Sequence, residues 1–243
     1  MLLSSRDKQV QLCLAFALFL NIIFWFSGRD IQARWNNVPP APDHKYAAAY
    51  GLGDAGFAYR LNGLMLQNLG DTGGRVTSLD DYKYNDLTKW FFLQDHLDPH
   101  SDYTPYLAAY YFGSLQTPEK FRPVLDYLQK VGEQAEGEKW RWFAQGVFLA
   151  RYQLHDLDKA LEMAKVLAST KYDDAPAWVR QMPAFIMTQK GEKKAAYALL
   201  LEILKTSAAD LHPNEVNAMK AYICERTLST KEAAENPLCE GTY

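Results

Sequence analysis

Cysteine is scarce in this chain, three in 243 residues, and no CxxC, CxxCH or zinc-finger spacing connects them. That excludes a disulfide-dense miniprotein and any thiol-based metal motif. Glycine and proline together number 25, too few for a collagenous or low-complexity protein. A net charge of −3 lacks the basic excess of a chain dominated by nucleic-acid contacts, so no nucleic-acid partner is expected. No Ser/His/Asp elbow, HExxH motif or dinucleotide fingerprint is expected. What remains is a globular composition, 48% hydrophobic and 23% charged, long enough for one or two domains with a substantial core.

The charge is unevenly spread. Residues 1–29 carry Arg6, Lys8 and Arg29 against Asp7, leaving −5 for the remainder. Between them, Val10 to Ser27 read VQLCLAFALFLNIIFWFS, eighteen residues without a charge, and a helix of that length spans about 27 Å. The pattern predicts one transmembrane helix over 10–27, with residues 1–9 cytoplasmic because Arg6 and Lys8 precede it, and Trp25 and Phe26 at the opposite headgroup level. A cleaved signal peptide is the rival. Arg29 and Asp30 spoil the cleavage site after Ala33, which favours an uncleaved anchor. The expected location is the inner (cell) membrane, single-pass, with the soluble domain periplasmic.

Residues 28–45 contain Pro39, Pro40 and Pro42 and are expected to form an extended, semi-rigid stalk. Beyond it there is no sustained period-2 alternation, and apolar residues recur at helical spacing. Helices are expected near 46–68, 80–96, 102–115, 118–131, 138–154, 156–169, 175–190, 192–206 and 213–228, the seventh kinked by Pro183. Residues 229–243 are expected as a tail. The predicted fold is all-α.

Short helices with tight turns prompt a search for an internal repeat. Phe121, Ala160 and Ala196 align at spacings of 39 and 36 residues. QLHDLDKALEMAKVL from Gln153 and QKGEKKAAYALLLEIL from Gln189 each place a polar turn before a small residue at a helix crossing. HLDPHSDYTPYLAAYYFGSL from His96 ends one helix at Leu97-Asp98-Pro99 and puts Ala109 where the next needs a small side chain. These segments resemble the tetratricopeptide-repeat family over roughly residues 80–206. The chain departs from the pattern at Phe148, where the family has Gly or Ala, at Pro183 inside a first helix, and at LGDTGGRVT from Leu69, which replaces a turn. The resemblance implies a TPR-like helical-hairpin solenoid over 46–228, its helix pairs stacked to bury one continuous core.

In such a solenoid the first helix of each pair lines the concave surface. Those inward positions here carry Tyr103, Tyr106 and Tyr110, then Trp142, Gln145, Leu149 and Tyr152, then Trp178, Gln181 and Phe185, an aromatic stripe with almost no charge. Tyr and Trp are favoured where protein segments dock, and the bland alternative is that these residues are core. Asp71-Thr72-Gly73 matches the core of an aspartic protease motif, but only one copy exists. DHLDPH offers Asp95, His96, Asp98 and His100 as metal-ligand types, with Asp98-Pro99 already accounted for as a helix end; no metal and no other cofactor is expected. Cys224 and Cys239 are expected to be joined, tying the tail to the last helix.

The expected function is a non-catalytic, membrane-anchored scaffold or adaptor that binds protein partners, an assembly factor on the extracytoplasmic side of a bacterial inner membrane. It contacts the lipid bilayer through residues 10–27. The alternatives are a permanent structural subunit of a larger membrane complex and an α-superhelical hydrolase; no Glu lies in an apolar setting that would raise its pKa for the latter.

Overall fold

The computed structural model describes residues 5–29, 38–72, 75–115, 117–134, 137–209 and 211–240. The chain divides into two compact units, Met1–Asn36 and Asn37–Tyr243. The first is helix α1, Ser5–Gly28. Its stretch Lys8–Gly28 is 21 residues long and apolar enough to cross a membrane, and from Lys8 onward its side chains are exposed. Arg29 caps its far end with the guanidinium 5.0 Å from the Phe26 ring centre.

Among the described residues the regular structure of the second unit is helical apart from a two-residue antiparallel ladder, β1 (Asp71–Thr72) with β2 (Arg75–Val76). Its described beginning differs from a free stalk. Val38 is buried, and the Trp90 indole donates a 2.7 Å hydrogen bond to the Pro39 carbonyl. An extended segment outside a helix or sheet has no backbone donor for its carbonyls, and a core tryptophan supplies one here, so 38–43 belongs to the folded unit; residues 30–37 of the expected stalk lie outside the described residues.

The helix expected over 46–68 is two. A 3-10 segment, His44–Gly51, ends where Leu52 and Gly53 adopt φ of 56° and 93°, and α2 (Ala55–Gln67) restarts because the Asp54 side chain accepts the Phe57 N–H at 2.8 Å. Helix α3 (Tyr84–Leu97) follows. The segment expected as a regular helix over 102–115 begins with one α-turn, α4 (Tyr103–Tyr106). It then widens to a π turn over Leu107–Tyr111 and tightens to 3-10 over Phe112–Ser114. A π turn re-aims the side chains that follow it.

From there the elements are regular: α5 (Arg122–Glu133), α6 (Trp140–Tyr152), α7 (Leu157–Ser169), α8 (Trp178–Lys190) and α9 (Lys193–Ser207). Each packs mainly on its chain neighbour. Helix α5 shows why. It buries Val124, Leu125, Leu128 and Val131 along one stripe while Arg122, Asp126 and Lys130 face water. Its approach to α6 is close enough that a methyl group on Gly132 would overlap the Phe143 side chain. Helix α7 starts at Asp156, whose carboxylate accepts the Lys159 N–H at 2.9 Å, and α8 stops at Gly191, φ 85°. Pro183 lies within α8 and is buried.

Two hydrophobic clusters result. The larger runs from Val38 to Ile186, the smaller from Ala184 to Cys239. Helix α10 (Pro213–Tyr222) passes into a π turn, Ile223–Thr227. The expected tail is folded over its described part: α11 (Thr230–Ala234) begins with a capping box between Ser229 and Glu232. Cys239 is then disulfide-bonded to Cys224 with Cα atoms 5.7 Å apart.

Candidate interaction surface

The aromatic side chains expected on one stripe fall into three environments. Tyr106 and Tyr110 lie one helical turn apart, each about half exposed, with ring centres 5.1 Å apart. Both meet Trp142 edge to face at 6.4 Å. Trp142 itself is buried, and its indole N–H donates to Asp102 Oδ1 at 2.6 Å. That carboxylate also faces Lys139 Nζ at 3.5 Å, and the ammonium donates to the Ser101 carbonyl at 2.7 Å. Lys139 is almost wholly buried, a position an ammonium holds only when paired. The pair therefore fixes the tryptophan from behind and leaves two tyrosine faces open in front. Tyr103 flanks them, its hydroxyl donating to Gln67 Oε1 at 3.2 Å; partial burial and the nearby Tyr59 push its pKa up.

A second exposed group lies on α6. Phe148 and Tyr152 are each about half exposed with ring centres 4.6 Å apart, and the Arg151 guanidinium lies 4.6 Å from the Tyr152 ring. Phe148 was not among the expected contact residues, although its departure from the repeat pattern could have marked it.

The rest of the expected stripe is differently placed. Leu149 and Gln181 are buried and Gln145 is half-buried. Phe185 packs on Tyr222 of α10 at 4.6 Å, so a helix covers it. Trp178 is 39% exposed and meets the buried Trp140 edge to face at 5.5 Å. Helix neighbours impose this division: of side chains at i, i+3 and i+7, those nearest the next helix become core.

The DHLDPH residues separate. Asp95 is buried and accepts from Gln134 Nε2 at 2.8 Å. The exposed His96 ring instead stands edge to face against His44 at 4.9 Å. These groups border an open cavity of about 860 Å³ that also includes Phe92, Lys89 and Pro42. Among the described residues no group of three or more His, Cys, Asp or Glu is placed to hold a metal ion.

The Gly70 backbone takes φ 84° at the start of the glycine loop, while Gly73 and Gly74 lie outside the described residues. GLGDAG from Gly51 has the glycine spacing of a dinucleotide loop, a match missed at the level of sequence. A 3-10 segment rather than a strand precedes it, and the Asp54 carboxylate occupies the helix N-terminus where a pyrophosphate would sit.

No family model, no curated protein and no solved structure matches this chain.

Proposed function

We propose that this chain is a membrane-anchored, TPR-like adaptor that binds protein partners, an assembly factor held by α1 on the extracytoplasmic side of a bacterial inner membrane. The observation that carries the proposal is the Tyr106–Tyr110 pair on Trp142. Two large, uncharged rings are exposed while the ring beneath them is held by a hydrogen bond to Asp102, itself faced by the buried Lys139. Preorganised tyrosines offer contact area at small entropic cost and keep a hydroxyl for hydrogen bonds. Successive packing of α6 on α7 and α8 on α9 supports the helix-pair solenoid, as do the buried Ala160 and Ala196 at matching positions of α7 and α9. Arg6 and Lys8 before α1 support the N-in orientation.

A photo-crosslinking residue at 106 or 110 in native membranes tests the adaptor. It should yield a discrete adduct, and Tyr106→Ala with Tyr110→Ala should weaken capture roughly 30-fold, the effect of losing one aromatic hot spot, at unchanged melting temperature. Melting of the domain by that double substitution would assign both rings to stability and end the proposal. A reporter active only after export, fused after Tyr243, tests the orientation.

A further inference from the structure

Helix α2 is apolar on two sides. Ala58, Tyr59, Gly63 and Leu66 face the core, and Phe57, Leu61 and Leu64, at i, i+4 and i+7, form a second stripe that faces outward. The contrast with α5 is direct, because the outward positions there are Arg122, Asp126 and Lys130. Just before α2, Leu52 is 94% exposed at a turn tip. It adopts φ 56°, a region where leucine costs more than glycine or asparagine. Tyr46 and Tyr50 of the preceding 3-10 segment are also mostly exposed.

We infer that this surface is a second membrane contact, with Leu52, Phe57, Leu61 and Leu64 dipping into the headgroup and acyl boundary of the bilayer and the tyrosines at headgroup level. The inference rests on α1 being the anchor. Nine residues, 29–37, separate the end of α1 from the buried Val38. At full extension they reach about 30 Å. The bilayer is then the one partner that covalent connectivity always holds near this surface, at high effective concentration. Leucine, phenylalanine and tyrosine are the side chains such a boundary accepts. The charges nearby balance: Lys45 and Arg60 against Asp43 and Asp54, whose carboxylates accept the Lys45 and Phe57 N–H groups. Attachment is consequently apolar, and indifferent to anionic lipid and to salt.

The test uses the full chain in phosphatidylcholine vesicles, its disulfide intact. A single environment-sensitive thiol probe is placed by Leu52→Cys or Leu64→Cys in a Cys13→Ser background, with Lys130→Cys as the control. Shallow spin-labelled lipids should quench the probe at 52 and 64 at least twofold more than at 130, with no change when a third of the lipid is phosphatidylglycerol. Quenching no greater than at 130 overturns the inference. A shielded probe that lipid quenchers do not reach, and that becomes exposed on diluting the protein among vesicles, also overturns it, in favour of a second copy of this chain. The same probe on native Cys13, read with deep quenchers, reports α1 separately. Its failure to quench removes the anchor, whereas quenching at Cys13 without quenching at 52 and 64 removes only the second contact.

Discussion

Between Val38 and Ile186 the bulkiest fully buried side chains are Trp90, Tyr127, Phe91, Phe112, Phe121 and Phe143, and the sequence has no cysteine there to crosslink them. Between Ala184 and Cys239 the buried set is Ala, Leu, Ile and Met around the Cys224–Cys239 bond. Both regions are helical, yet they are stabilised at different ends of the folding equilibrium. Large rings lower the free energy of the folded state by the area they remove from water. A crosslink acts mainly by restricting the unfolded chain. The smaller cluster, with few large side chains, gains most from the second device.

The largest effect expected on this contrast comes from Phe143, which packs against Gly132 where α5 and α6 approach most closely. Phe143→Ala should cost about 3–5 kcal/mol, measured by denaturant titration in detergent. Hydrogen exchange should accelerate first in α5, α6 and α7; acceleration confined to α10 and α11 would erase the distinction between the two regions. Next, replacing both Cys224 and Cys239 by alanine opens a loop of 15 residues and should cost about 3 kcal/mol in the chain-entropy model. Exchange should rise in α10 and the turn after it while α5 to α7 stay protected.

Alkaline pH should select the aromatic region. Burial, with Tyr111 adding to it, pushes the Tyr82 hydroxyl up to about 12. Tyr84 and Tyr127 are also raised by burial. In the unfolded chain these groups lose their protons near pH 10, so the folded form holds more protons above that pH. Stability is thus fully present below about pH 10 and falls as pH rises towards 12. Absorbance at 295 nm should show late tyrosine ionisation coincident with unfolding. Tyr82→Phe, which removes the hydroxyl that donates to the Leu69 carbonyl, should flatten that loss; an unchanged alkaline limb would take Tyr82 out of the account. The smallest effect is Ser229→Ala at the start of α11, about 1 kcal/mol for a lost N-cap. It should be visible as faster exchange in residues 230–234 alone.

Much of the regular part was legible because its causes are local. Helices α6 to α9 begin and end within three residues of the ranges expected from periodicity, since Asp156 and Gly191 mark boundaries that residue chemistry imposes. The expected helix over 46–68 failed at Gly51-Leu52-Gly53, where the backbone turns left-handed so that the 3-10 segment can fold back on α2. The contact stripe was legible in composition but not in facing. Tyr106 and Tyr110 are exposed. Leu149 and Gln181, at equivalent spacing, are buried, Leu149 against Gly113, 36 residues earlier in the chain.

The amino-acid sequence by itself determined an apolar N-terminal helix long enough for a membrane, a helical remainder and most of its breaks, because hydrophobic period, capping side chains and glycine act over a turn or two. Only the tertiary structure decided that Val38 and Pro39 join the core through Trp90, that Asp102, paired with the buried Lys139, holds Trp142 under two open tyrosines, and that α2 keeps an apolar stripe uncovered. Each of those depends on which helix packs beside which, and burial is a property of neighbours rather than of any residue's own chemistry.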